Sequence, residues 1–385
     1  MDNFTFFNPT RIVFGKGAIA SLPKYLPADH SILMLYGGGS IKKNFIYDHV
    51  KSALAGYRVI EFGGVPSNPE YEVCMQAVDV VLREKVSFIL AVGGGSVIDA
   101  AKFIAAAARN PQVEAWDIVS KKVPFSGALP VGVVLTLAAT GSEMNNISVI
   151  SRQSTQEKYA FSSDSLYPQF SILDPQTTYT LPVKQIRNGL VDAFIHVGEQ
   201  YMTYPNNNPL VDRQAEAVFS TLVEVAPGAL RAPADYDARA AYMWCATQAL
   251  NGHLRCGAPQ DWATHRIGHE LTALYGLAHA ESLAPIWISL LRYKLEHKVE
   301  KLAQYGRRVW NLETSDPRSL AGQAIEKTEA FFNSTGMPTH LREFGVDAKA
   351  AAREIERRFT ERKVVWGEKQ DITPEASAEI VLKAF

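Results

Sequence analysis

Cysteine is scarce: the 385 residues hold three, Cys74, Cys245 and Cys256, with no C-x-x-C spacing. That excludes a disulfide framework and a cysteine-based zinc cluster, and it points to free thiols in a reducing cytoplasm. Long apolar runs are missing as well, and no stretch reaches the ~20 apolar residues needed to span a bilayer. The opening MDNFTFFNPTRIVFGKGA has no basic segment followed by an apolar one, so no signal peptide is expected. An excess of one charge sign is absent too. Lys plus Arg number 39 against 40 Asp plus Glu, a net −1, so no field draws the chain to nucleic acid or an anionic membrane. The dinucleotide fingerprint G-x-G-x-x-G is also lacking. There is no internal repeat and no low-complexity tract.

The chain has instead the means for a large core, with 47% hydrophobic and 21% charged residues, and its length suits two domains. Up to about Pro182, short apolar runs alternate with helical stretches. SILMLYGGG (31–39), YRVIEFGG (57–64), VSFILAVGGGS (86–96), ALPVGVVLTL (128–137) and QFSILDP (169–175) read as buried strands. NPEYEVCMQAVDVVLREK and SVIDAAKFIAAAARN lie between them as helices. Such alternation indicates a Rossmann-like α/β domain whose parallel sheet is covered on both faces. TRIVFGKGAIASL at the start reads as an edge strand or a hairpin arm followed by a helix. After Pro182 apolar residues recur every three or four positions, which indicates an all-α bundle. The expected domains are therefore 1–181, α/β, and 182–385, helical.

Within NGLVDAFIHVGEQ (188–200), Asp192 and His196 stand four apart in an apolar pattern. On a helix of 3.6 residues per turn they share one face. ATHRIGHELTALYGLAHAES repeats the spacing with His265 and His269 and adds His279 beyond a glycine turn. A carboxylate with two or three imidazoles suits Zn²⁺ or Fe²⁺, whereas Ca²⁺ and Mg²⁺ prefer oxygen donors. Buried singly, these groups would cost free energy.

Glycine-rich turns follow three of the strands. Gly93, Gly94, Gly95 and Ser96 join a strand to a helix, where free N–H groups suit a diphosphate. TLAATGSEMNN offers Thr136, Thr140, Gly141 and Ser142 after the next strand, and in open α/β sheets ligands bind at such ends. The first turn, YGGGSIKKN, bears on the choice of cofactor. An NAD site places an acid near a strand end for the ribose 2′-hydroxyl, yet no acid lies between Ser31 and Phe45. Gly38, Gly39 and Ser40 leave room for a 2′-phosphate, and Lys42 and Lys43 either supply positive charge or begin a solvated helix. NADP(H) is therefore expected over NAD(H).

These segments together resemble the iron-containing alcohol dehydrogenase family, in its branch of butanol dehydrogenase-like, NADPH-dependent aldehyde reductases. NPTRIVFGKGA, GGGSVIDAAKFIA, TLAATGSE, NGLVDAFIHVGEQY, MWCATQALNG and QDWATHRIGHELTALYGLAHAESLA carry the resemblance almost end to end. It implies a dehydroquinate synthase-like architecture, with the active site in the cleft between the two domains. The implied metal ligands are Asp192, His196, His265 and His279, with His269 near the reacting groups. Implied cofactor contacts are Asn68, Gly94, Gly95, Ser96, Asp99, Thr136, Thr140, Asn145, Lys158 and Tyr179. Many members have proline after the position of His269 and glycine after the last ligand, where Glu270 and Ala280 stand here.

The expected chemistry is reversible reduction of a small aldehyde to a primary alcohol. The metal acts as a Lewis acid, hydride comes from NADPH, and His269 or a water with the ribose hydroxyls relays the proton. Trp262, Phe161 and Leu166 are candidate pocket walls or ordinary core. Alternatives on the same parts are a dehydroquinate synthase-like cyclase, a polyol dehydrogenase, or a noncatalytic metal- or nucleotide-binding protein. The cyclase would need a cationic cluster, and the metal segments carry only Arg255 and Arg266. The β-like edge of TRIVFGKGA favours pairing with a second copy, so a cytoplasmic homodimer is expected.

Overall fold

The computed structural model describes residues 1–385. Eight strands form: β1 (Arg11–Phe14), β2 (Ser31–Tyr36), β3 (Arg58–Phe62), β4 (Phe88–Gly94), β5 (Val131–Leu137), β6 (Ile147–Arg152), β7 (Glu157–Ser162) and β8 (Phe170–Leu173). Six of them make one parallel sheet in the order β1-β8-β5-β4-β2-β3. The five apolar runs are β2, β3, β4, β5 and β8, and TRIVFGKGAIASL contributes the edge strand β1 rather than a hairpin arm. β6 and β7 form a separate antiparallel pair. Its residues alternate between buried and partly exposed, so no continuous apolar run marks it in the sequence.

Helices α1 (Phe45–Ala53), α2 (Tyr71–Arg83), α3 (Gly95–Arg109) and α4 (Ala115–Ser120) lie among the strands. α3 is buried from Val97 through Ala108, as suits an alanine-rich helix that is apolar on every side but for Asp99 and Lys102. Alternate residues of the central strands, Ile32 and Met34 of β2 and Phe88, Leu90 and Val92 of β4, point into one hydrophobic cluster, following the two-residue period of a strand.

From Val183 onward the chain is helical: α5 (Val183–Tyr201), α6 (Pro209–Leu230), α7 (Tyr236–Ala249), α8 (Ala263–Tyr275), α9 (His279–Tyr293), α10 (Val299–Val309), α11 (Pro317–Ser334), α12 (Ala348–Arg362) and α13 (Pro374–Lys383). Ile267 and Leu271, Ile286 and Leu290, and Ile355 and Phe359 come from α8, α9 and α12 at four-residue spacing and meet in one core. The chain makes two compact units that are not contiguous in sequence. One comprises residues 7–186 and 233–247; the other comprises 1–6, 187–232 and 248–385. No helix is long and apolar enough to cross a membrane.

Candidate functional site

α5, α8 and α9 bring four side chains together. One donor atom each from Asp192, His196, His265 and His279 lies within 4.8 Å of the others. Asp192 Oδ1 is 3.6 Å from His279 Nε2, and Asp192 Oδ2 is 3.8 Å from His196 Nδ1. Two glycines allow the helices this close. A Cβ on Gly198 of α5 would stand 2.5 Å from the Trp287 ring of α9, and one on Gly268 of α8 would stand 2.5 Å from Leu283 of α9. Asp192, His196 and His265 are buried. Burial, then the neighbouring His265, holds His196 well below the usual imidazole range, so it is neutral and its lone pair is available to a cation. One carboxylate and three imidazoles fit Zn²⁺ or Fe²⁺ in kind and number.

His269 lies beside the quartet, its ring 5.6 Å from that of His279 and 6.3 Å from that of His265. Trp262 stands 5.1 Å from His265 and 6.3 Å from His196, ring to ring. Its backbone is left-handed (φ 65°), and its indole N–H donates to Gln260 Oε1 at 2.8 Å. The other two candidate walls are core: Leu166 is wholly buried, and Phe161 packs edge-on to Phe103 and Phe125. Glu270 is buried and paired with Arg358 at 3.1 Å and with Arg362. It ties α8 to α12. Ala280 is buried in the first turn of α9. Arg266 places its guanidinium 5.1 Å from the centre of the Trp366 ring.

The remaining candidate residues lie in the sheet-bearing unit. β2 connects to β3 on one side, and the chain then passes to β4 on the other. The strand order thus reverses between β2 and β4, the place where open α/β sheets bind ligands. The turn carrying Gly38, Gly39 and Ser40 follows β2, and Gly94, Gly95 and Ser96 join β4 to α3. Thr136 ends β5. Asn68 links two of these parts: its N–H donates to Ser96 Oγ at 3.3 Å, and its Oδ1 accepts from Lys158 Nζ at 2.8 Å. Asp99 accepts from Ser142 Oγ (2.6 Å) and from the Val149 N–H (3.1 Å). Thr140 Oγ1 accepts from the Ser142 N–H at 3.3 Å, and Asn145 Oδ1 accepts from the Ile147 N–H at 3.0 Å. Tyr179 caps the turn after β8 and is exposed. Lys42 and Lys43 are both exposed, Lys42 standing 3.7 Å from Glu61 and over the Tyr36 and Tyr47 rings.

Two residues passed over in the sequence matter here. Lys102 of α3 is fully buried and donates to Ser142 Oγ, Asn145 O, Asn145 Oδ1 and Ile147 O at 2.8–3.1 Å. It pins the loop after β5. Burial, opposed by Asp99 and Glu143, lowers its ammonium to about 8. A lysine inside AAKFIAAAA was the available signal, since a charge in so apolar a helix needs partners. Glu199 is the second. It lies on the Asp192–His196 face of α5, and its Oε2 is 2.7 Å from His265 Nδ1. Burial, then the Asp261 carboxylate, pushes the Glu199 carboxyl above its ordinary range, while N–H groups of Thr264 and His265 oppose this.

Comparison with known proteins matches the model of iron-containing alcohol dehydrogenase over residues 9–175 and that of the Fe-containing alcohol dehydrogenase C-terminal region over 186–383. The chain is 48% identical to the NADPH-dependent aldehyde reductase YqhD of Escherichia coli, over 99% of each. It is 42% identical to a probable NADH-dependent butanol dehydrogenase of Bacillus subtilis, over 90% of this chain and 91% of that one. The crystal structure of E. coli K-12 YqhD superposes with a TM-score of 0.97, covering 100% of this chain and 99% of that one.

Proposed function

On the premise that the chain belongs to the iron-containing alcohol dehydrogenase family, we propose that it is a metal-dependent oxidoreductase reducing aldehydes to primary alcohols with NADPH, reversibly. The observation that carries this is the convergence of Asp192, His196, His265 and His279. When bound, a divalent cation supplies Lewis acidity toward the carbonyl oxygen, and NADPH supplies the hydride. The chain's own residues do the rest. Asp192 and the three imidazoles hold the cation, and Zn²⁺ and Fe²⁺ both suit them. Trp262 shields the quartet on one side. In this reading His269 delivers the proton that the product alcohol requires, so that aldehyde, NADPH and H⁺ give alcohol and NADP⁺; its ring 5.6 Å from that of His279 supports the role.

Residues 1–181 bind the dinucleotide in this reading, and 182–385 carry the metal. The Gly94–Gly95–Ser96 turn takes the diphosphate at the start of α3. Asn68, Asp99, Thr136, Thr140, Asn145, Lys158 and Tyr179 shape the rest of the cofactor's surroundings. Gly38, Gly39 and Ser40 accept the 2′-phosphate, where an acid would repel it. The E. coli relative is named for NADPH and the B. subtilis one for NADH, so residue chemistry at this turn decides the preference. The protein works as a cytoplasmic homodimer: β1 leaves one edge of the sheet open to pairing, and its three cysteines are free thiols. Mixing the protein with NADPH and butanal tests the activity. NADPH absorbance should fall, stop falling after chelation, and fall again when Zn²⁺ or Fe²⁺ is restored. Undiminished turnover in fully metal-stripped protein contradicts the proposal.

A further inference from the structure

Asp192, His196 and Glu199 occupy positions i, i+4 and i+7 of α5, one stripe of a helix. Glu199 is wholly buried, and a buried carboxylate is stable only among donors. Its donors come from the start of α8. Oε1 accepts from the Thr264 N–H at 3.1 Å; Oε2 accepts from the His265 N–H at 3.0 Å and lies 2.7 Å from the His265 ring Nδ1. The N–H groups of a helix's first turn lack partners within the helix, so Glu199 caps α8 from a different helix. The backbone joins in: the Asp261 N–H donates to Glu199 O at 3.0 Å, and Asp261 Oδ1 accepts from the Ala263 N–H at 2.9 Å. Residues 261–265 are thus pinned to α5, and Trp262 holds its left-handed backbone inside this pinned segment.

We propose that Glu199 is the positioning residue of the metal centre: by taking the proton-bearing Nδ1 of His265, it fixes the ring's tautomer and aims Nε2 at the other three ligands. This rests on the reading of Asp192, His196, His265 and His279 as one cation site. A neutral imidazole carries one N–H and one lone pair. An acceptor at Nδ1 leaves the lone pair on Nε2, the atom a cation must have. Carboxylates hydrogen-bonded to ligating histidines orient the ring and raise its basicity.

Donor arithmetic makes the carboxylate specific. Glutamine at 199 has one carbonyl oxygen and one NH₂ group. If the NH₂ takes the place of Oε1, it faces the Thr264 N–H. If it takes the place of Oε2, it faces both donors of His265. Either way a buried donor confronts a donor, although side-chain volume is preserved.

The test measures Zn²⁺ affinity by chelator competition in the full-length, nucleotide-free protein for wild type, Glu199→Gln and His265→Ala. Glu199→Gln should bind Zn²⁺ about 10- to 100-fold more weakly, the usual effect of losing such a partner. Its metal-stripped form should still unfold cooperatively. Wild-type affinity in Glu199→Gln overturns the proposal. Failure of wild type to bind one Zn²⁺ per chain, or unchanged binding by His265→Ala, overturns the metal reading instead. Nitrogen NMR of metal-stripped wild type reads the tautomer without any variant, and so decides even if Glu199→Gln does not fold. A proton on Nδ1 of His265 supports the assignment, and a proton on Nε2 rejects it.

Discussion

At the end of β4, a Cβ on Gly93 would lie 2.5 Å from Val97, one on Gly94 2.9 Å from Leu137, and one on Gly95 2.4 Å from Thr140. At the end of the adjacent β2, a Cβ on Gly38 would meet nothing within 4 Å. The β4 turn needs glycine for its own packing, whether or not a phosphate ever reaches it. The β2 turn has no such need at Gly38, which is exposed. An absent side chain there carries information about something outside the chain. Glycine in a sequence therefore marks a tight interior in one turn and an open space in its neighbour.

The comparison breaks most severely at the packed turn. Gly95→Ala should destabilise the protein by about 1–3 kcal/mol, as overpacking does, and should lower nucleotide affinity with it; thermal unfolding and NADPH fluorescence titration read both. Unchanged stability would mean that the turn yields easily. At the open turn, Gly38→Asp should leave stability within about 0.5 kcal/mol, as for a surface change. It should raise the KM for NADPH by tenfold or more, on the order of 1–3 kcal/mol for a group left without its partner, and spare NADH. Steady-state kinetics with both cofactors tests this, and an equal effect on both would remove Gly38 from the 2′-phosphate site. Gly39 is a poorer test, because its φ of +84° strains any side chain.

The smallest effect concerns Lys102, which fastens the loop after β5. Its folded-state value lies near 8, below the ordinary 10.5. Between those values the unfolded chain holds the proton more tightly, so stability gains with rising pH and loses as pH falls toward 8. The unfolding free energy of wild type minus that of Lys102→Met should therefore rise from pH 8 to 10.5. A flat difference would show that Lys102 titrates normally.

The two pairs at the candidate site were legible because helical periodicity is local: Asp192 with His196, and His265 with His269, share faces by spacing alone, whereas the set of four, with His279 in place of His269, followed only from the family resemblance. The same spacing does not separate ligand from neighbour. His265 and His269 look equivalent in sequence, yet only His265 joins the quartet. The sheet was legible from five continuous apolar runs. The β6–β7 pair was not, since its residues alternate and no apolar run sets it apart. Contacts such as Lys158 with Asn68, or Lys102 with Asn145, join residues 90 and 43 positions apart. No local pattern encodes them. Glu270 shows the converse, a family departure that draws the eye in the sequence and is an ion pair to α12 in the fold.

The central claim is that one cation, held by Asp192, His196, His265 and His279, is required for aldehyde reduction. Metal analysis of wild type and His265→Ala, purified without added metal or chelator, tests it most directly when paired with NADPH turnover and NADPH binding. Wild type should carry one Zn²⁺ or Fe²⁺ per chain and reduce butanal. His265→Ala should lose metal and turnover while still binding NADPH. Full metal content with full turnover in His265→Ala would contradict the account.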